Sequence, residues 1–158
     1  MHKITMTLNG QTITDSVSDD MLLVTYLREV KGLTGTHIGC DTSQCGACVI
    51  AVNGESVKSC TMLAVQAEGA ELTTIEGVGD EDNLHPMQLA FKQAHGLQCG
   101  YCTPGMVISA IDYVEAGGAL DDMSIRDGLE GNICRCTGYH NIIKAVQIGA
   151  KMMQDAKR

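Results

Sequence analysis

The sequence contains no tryptophan, one phenylalanine (Phe91) and only two prolines. No core can therefore be built on large aromatic rings, and packing must come from Leu, Ile, Val, Met and Ala. Cations are also few: eleven Lys and Arg stand against nineteen Asp and Glu, for a net charge of -8. They are scattered along the chain, which excludes the clustered basic surface that nucleic-acid or anionic-lipid binding requires. No apolar run approaches the length that spans a bilayer, and Met1-His2-Lys3-Ile4-Thr5 leads into alternating residues instead of a secretory segment. The expectation is a cytoplasmic protein with no nucleic-acid partner and no direct membrane insertion, any contact with the inner face of a membrane being peripheral and made through a larger assembly. The length of 158 residues admits one domain or two small ones. Two domains of about 75 residues would each have little core and would need a further constraint.

Cysteine is abundant by contrast, with eight residues. In a reducing compartment disulfides are disfavoured, and metal ligation is the better use of so many thiols.

The first half reads as strands with one helix. Ile4, Met6 and Leu8 alternate, Asn9-Gly10 signals a hairpin turn, and Thr12 to Val17 returns. Ser18, Asp19 and Asp20 offer N-cap oxygens to a helix carrying Leu22, Leu23, Tyr26, Leu27 and Val30, with Gly32 as its stop. Asn53-Gly54 predicts a second hairpin between Ala47 to Val52 and Glu55 to Ser59, and Glu71 to Ile75 reads as a closing strand. Gly77 to Asn83, acidic and glycine-bearing, is the expected linker. Beyond it the pattern is helical. Pro86 opens a helix running to about His95 with Gly96 as its stop; Thr103 caps another with Pro104 in its first turn; Asp122 to Leu129 forms a short third; and Tyr139 to Met153 places Ile142, Val146, Ala150 and Met153 on one face. The fold class is thus α+β, a strand-rich half at 1-78 followed by an all-α half at 79-158.

Cys40, Cys45 and Cys48 have the spacing C-x4-C-x2-C, and Cys60 follows across the second hairpin. This is the plant-type arrangement for a 2Fe-2S cluster. Four thiolates must converge while peptide N-H groups point at sulfur, and Gly35, Gly39 and Gly46 fall where tight turns are needed. The second quartet, Cys99-x2-Cys102 with Cys134-x-Cys136, lies wholly in the helical half and reads as a separate iron-sulfur site, with zinc as the alternative. Both pairs stand near expected helix starts, whose positive ends favour an anionic thiolate cluster. No Ser/His/Asp or paired-carboxylate constellation is visible, so no catalytic residue is assigned.

Gly39-Cys40-Asp41-Thr42-Ser43-Gln44-Cys45-Gly46-Ala47-Cys48, Gly96-Leu97-Gln98-Cys99-Gly100-Tyr101-Cys102-Thr103-Pro104-Gly105 and Gly131-Asn132-Ile133-Cys134-Arg135-Cys136-Thr137-Gly138-Tyr139 together resemble the small iron-sulfur subunit of molybdenum hydroxylases, the xanthine oxidase family. Leu33-Thr34-Gly35 to Cys48 and Ser56 to Met62 look most like aerobic carbon monoxide dehydrogenase. The resemblance implies a β-grasp ferredoxin-like domain followed by a four-helix domain, each with one 2Fe-2S cluster. It implies a large subunit carrying molybdopterin cytosine dinucleotide, a medium subunit carrying FAD, and a dimer of heterotrimers. Electrons would run from molybdenum through the second quartet, then the first, to the flavin. The resemblance also puts Gln98 and Cys136 beside the pterin. Related aldehyde or N-heteroaromatic dehydrogenases are the alternative to carbon monoxide, and a zinc-stabilised interaction module is the remote one.

Among the other polar residues, Arg135 reads as a solvated or interface charge, His37 as a non-ligand, and His85, His95 and His140 as capping or surface residues. The methionines read as core and interface filler, and Asp80-Glu81-Asp82 as a solvated linker.

Overall fold

The computed structural model describes residues 1–158. β1 (His2–Leu8) and β2 (Gln11–Val17) pair antiparallel, with Leu8 opposite Gln11. Asn9 and Gly10 have φ of 49° and 79°, the double left-handed turn whose twist suits a two-residue hairpin. The same device joins β3 (Val49–Val52) to β4 (Glu55–Lys58) through Asn53 (φ 52°) and Gly54 (φ 87°). β5 (Glu71–Thr73) fills the middle, parallel to β1 and antiparallel to β3, giving the order β2-β1-β5-β3-β4. Hence both hairpins lie outside and their crossover is α1.

α1 (Leu23–Thr25) continues as a π-helical turn over Tyr26–Val30, and Gly32 leaves it at φ 69°. The expected cap by Ser18, Asp19 or Asp20 is absent: Leu22 is the N-cap, and the Leu23 N-H is satisfied by the Met62 carbonyl at 2.7 Å. Val30 is half exposed instead of packed, because the wide turn, closed by Lys31 N-H to Tyr26 O, rotates it outward. Tyr26 and Leu27 close the first core with Ile4, Met6, Ile50 and Leu72.

The strand expected over 71–75 ends at Thr73, and a four-residue helix, α2 (Ile75–Val78), follows. Asn9 holds this corner, accepting the Thr74 N-H at 2.9 Å and donating to its hydroxyl at 3.0 Å. The helical half comprises α3 (Pro86–Gln93), α4 (Thr103–Glu115), α5 (Asp122–Gly128) and α6 (His140–Ala156). Met87, Phe91, Met106, Ile125, Ile142 and Val146 form the second core, and Ile75 packs against it from α2. His85 caps α3, its Nδ1 accepting the Met87 N-H at 3.1 Å. The left-handed stop expected at Gly96 falls on His95 (φ 53°); Gly96 serves close packing, since a Cβ there would lie 3.1 Å from Phe91. Cys102, not Thr103, is the N-cap of α4, and the Thr103 hydroxyl is buried without a partner.

Candidate metal centres

The first quartet is built by the loop between α1 and β3 and by the end of β4. The rung Val49 opposite Lys58 puts Cys48 and Cys60 just beyond the same end of the β3-β4 hairpin. Their thiols are close enough to perturb each other's ionisation. Both are buried; Cys40 and Cys45 are partly exposed. The loop wraps Cys40: the N-H groups of Thr42, Gln44 and Cys45 approach its Sγ at 3.4, 3.4 and 3.3 Å, and the Ala47 N-H approaches Cys45 Sγ at 3.5 Å. Left-handed residues at Asp41 (φ 51°), Ser43 (φ 64°) and Gly46 (φ 75°) turn these N-H groups inward. As a thiol, Cys40 is held down at about 6, chiefly by the Cys45 N-H and then by Thr42 and Gln44. Burial pushes Cys48 up to about 11, the Cys60 N-H opposing and the Cys60 and Cys45 thiols adding to the rise. The loop glycines divide by role. Gly46 alone has a positive φ; Gly39 is needed because a Cβ would lie 2.9 Å from Cys45 Sγ, and Gly35 because one would lie 2.5 Å from Ile75.

The second quartet joins the start of α4 to the loop before α6. Cys102 and Cys134 are close enough to perturb each other's ionisation, as are Cys99 and Cys136. No three His, Cys, Asp or Glu side chains close on a point as a single-ion site would; these sulfurs meet two by two. They line a cavity of about 150 Å³ together with Gly39, Cys45, Ala47 and Ile133. Burial, then Cys134, raises the Cys102 thiol to about 12. At Cys134 burial acts upward, but hydrogen bonds from Thr137 and Cys136 bring the thiol below its ordinary value. Cys99 and Cys136 are exposed. Cys102 is at a helix start as expected, but Cys134 is held off α6 by residues 135–139, which fold around Tyr139. The Tyr139 hydroxyl accepts the Cys134 N-H at 2.8 Å and donates to Asn132 O at 3.0 Å. Arg135 is exposed and lines this site, and Gln98, next to Cys99, is exposed.

The two quartets touch. Ile133, next to Cys134, donates its N-H to the carbonyl of Cys45 at 2.8 Å, and Asn132 Nδ2 reaches the Gly46 carbonyl at 3.3 Å. Cβ atoms at Gly46 and Gly105 would overlap Gly131 O and Gly46 O, so main chain meets main chain here. A second tie joins the loops: His37 stacks on Tyr101 with ring centroids 4.4 Å apart, its Nδ1 donates to Tyr101 O at 2.7 Å, and the Tyr101 hydroxyl donates to Ile38 O at 2.7 Å. Paired sulfurs, inward N-H groups and glycines admitting close approach suit anionic two-iron clusters. Sequence reading missed Tyr139, Asn132, Lys58 and Tyr101. Only their positions within the cysteine motifs could have drawn notice to them.

A family model described as a 2Fe-2S iron-sulfur cluster binding domain matches residues 6–74, and one described as a [2Fe-2S] binding domain matches 74–147. The gamma subunit of caffeine dehydrogenase from Pseudomonas sp. (strain CBB1) is 45% identical over 160 residues, covering 99% of this chain and 95% of that one. The crystal structure of quinoline 2-oxidoreductase from Pseudomonas putida 86 superposes with a TM-score of 0.93 at 40% identity, covering 99% of this chain and 98% of the matched one. This chain belongs to the iron-sulfur small subunits of the molybdenum hydroxylases. Such a small subunit carries electrons within an oxidoreductase complex, and this one has the two 2Fe-2S binding domains in the family's order. In aldehyde oxidoreductase from Desulfovibrio gigas the matching portion is 18% of a longer chain (TM-score 0.93, 38% identity, all of this chain covered). No helix is long and apolar enough to cross a membrane.

Proposed function

We propose that this small subunit passes electrons from a molybdopterin centre in a large partner subunit to FAD in a medium one, within a dimer of heterotrimers in the cytoplasm. Cys99, Cys102, Cys134 and Cys136 would hold one 2Fe-2S cluster, and Cys40, Cys45, Cys48 and Cys60 the other. The proposed division of labour falls between residues 1–78 and 79–158. When bound, each cluster supplies a one-electron carrier. The sulfur contacts favour Cys102/Cys134 and Cys99/Cys136 on separate irons, and Cys48/Cys60 sharing one.

The observation that carries the reading is the Ile133 N-H to Cys45 O bond of 2.8 Å. It joins a residue adjacent to one ligand directly to another ligand, which shortens the path between the quartets to backbone and a single hydrogen bond. Gln98, next to Cys99, and Cys136 are both exposed and are proposed to face the pterin. For the substrate, an N-heteroaromatic compound or an aldehyde has the better support, because the relatives above are named for caffeine, quinoline and aldehyde. Carbon monoxide rests only on the likeness of residues 33–48 and 56–62, and none of those three relatives is a carbon monoxide dehydrogenase.

Iron and acid-labile sulfide analysis with EPR of the reduced complex tests the assignment. Two distinguishable signals are expected, and Cys45→Ser should remove one and leave the other. Zinc without sulfide, or loss of both signals in that variant, would overturn it.

A further inference from the structure

Lys58 belongs to neither quartet. It ends β4, two positions before Cys60, and its side chain reaches back to the loop that carries Cys40 and Cys45. Its Nζ donates to the Ser43 carbonyl at 2.7 Å and to the Gln44 carbonyl at 3.4 Å. These oxygens belong to the peptide units 43–44 and 44–45. The N-H ends of the same two units, on Gln44 and Cys45, are those that approach Cys40 Sγ at 3.4 and 3.3 Å. Each peptide is therefore held with an ammonium at its oxygen and a ligand sulfur at its nitrogen. A cation on the carbonyl polarises the amide and makes its N-H a stronger donor, the cooperative effect of hydrogen bonds in series. Lys58 is in no salt bridge, so its charge is not cancelled by a carboxylate.

The second quartet has no such arrangement. Tyr101 N-H approaches Cys99 Sγ at 3.5 Å, the carbonyl of that peptide, on Gly100, accepting the Thr103 N-H at 3.2 Å, and the N-H groups of Cys136 and Thr137 act on Cys134. No ammonium stands behind these peptides.

We propose that Lys58 raises the reduction potential of the cluster held by Cys40, Cys45, Cys48 and Cys60, acting on Cys40 Sγ through peptide units 43–44 and 44–45 and by its own charge. The inference rests on the electron-carrier reading above. Reduction adds one electron to an already anionic centre, and a nearby cation with stronger N-H donors favours that reduced form. In the physiological direction Lys58 would thus make the step into the first quartet's cluster more favourable. It is a positioning and tuning residue, touching neither iron ligand directly.

The test is a potentiometric titration of the intact complex with dithionite, followed by EPR. The first quartet's signal is identified as the one that Cys45→Ser removes. Lys58→Met is expected to move its midpoint to lower potential and leave the other signal where it was, while Lys58→Arg keeps it near the wild-type value. Should Lys58→Met not assemble the first cluster, Lys58→Gln, which keeps a donor for the carbonyls without charge, is expected to show the same selective downward shift. An unmoved midpoint in the neutral variants, or an equal shift of both signals, would overturn the proposal. So would failure of all three variants to hold the first cluster, which would make Lys58 a structural requirement alone. A wild-type complex lacking two titrating signals would instead sink the carrier reading, and this inference with it.

Discussion

The phenolic oxygen of Tyr139 lies 2.8 Å from the backbone nitrogen of Cys134 and accepts its N-H, so one aromatic side chain fixes the main chain of a proposed iron ligand. Tyr139 is itself left-handed (φ 69°), and its N-H is taken by the Thr137 hydroxyl at 3.2 Å. The ring thus sits at the hub of the 131–139 loop. In Tyr139→Phe the Cys134 N-H loses its acceptor in a part-buried site, a penalty of about 1 kcal/mol. We expect a lower melting temperature and a second EPR signal lost at milder heating than the first. Equal loss of both signals would remove the hydroxyl from this role.

Gly46 and Gly54 are both left-handed, at φ 75° and 87°, yet only Gly46 has neighbours that a Cβ would strike. Gly54→Ala should cost roughly 1–2 kcal/mol, the left-handed penalty alone. Gly46→Ala adds a collision with Gly131 and Asn132 across the two halves. It should destabilise clearly more and weaken any magnetic interaction between the two reduced clusters, read as loss of splitting in their EPR signals.

The His85 cap titrates. Burial holds its imidazole below the ordinary value, Glu115 opposing weakly, and its Nδ1 must be unprotonated to accept the Met87 N-H. The unfolded chain therefore takes up the proton first. The cap's contribution is complete above an unfolded value of about 6.5 and is lost as pH falls through that range to the lower folded value. His85→Asn keeps a capping acceptor without the titration. Thermal melts between mildly alkaline and mildly acidic pH should show a smaller acid-side loss in the variant than in the wild type.

Cys102→Ser should spare the first quartet, whose loop and hairpin lie elsewhere in the chain. On the proposed order of carriers, substrate should still reduce the molybdenum centre while flavin reduction fails. Normal flavin reduction, followed by stopped-flow absorbance, would contradict the order of carriers.

The strand half was legible where local chemistry decides structure. Asn9-Gly10 and Asn53-Gly54 make the expected two-residue turns, with partners Leu8 to Gln11 and Val52 to Glu55. The amphipathic face of α6, with Ile142, Val146, Ala150 and Met153 buried, was likewise readable from its spacing. What failed was settled by distant partners. The Leu23 N-H finds Met62, which no local pattern announces, and so Ser18, Asp19 and Asp20 are not used as caps. The grouping of the cysteines into two sets followed from their spacing, and within those sets the structure places Cys48 by Cys60, Cys102 by Cys134 and Cys99 by Cys136. Their dependence on Tyr139, Lys58 and Asn132 did not, because those bonds connect loops through side chains that also serve ordinary surface roles.

At Gly46 and Gly105 the seam between the halves is main chain against main chain, flanked by a few side-chain ties: Asn132 Nδ2 on the Gly46 carbonyl at 3.3 Å, His37 on Tyr101, and the Ser56 N-H on the Asp112 carboxylate at 2.9 Å. Such a join is specified by a handful of positions. A helical half transplanted from a relative should dock on this strand half provided it brings a glycine at the position of Gly105 and counterparts of Tyr101, Asp112 and Asn132, which makes the seam a natural point for recombination between subunits serving different substrates.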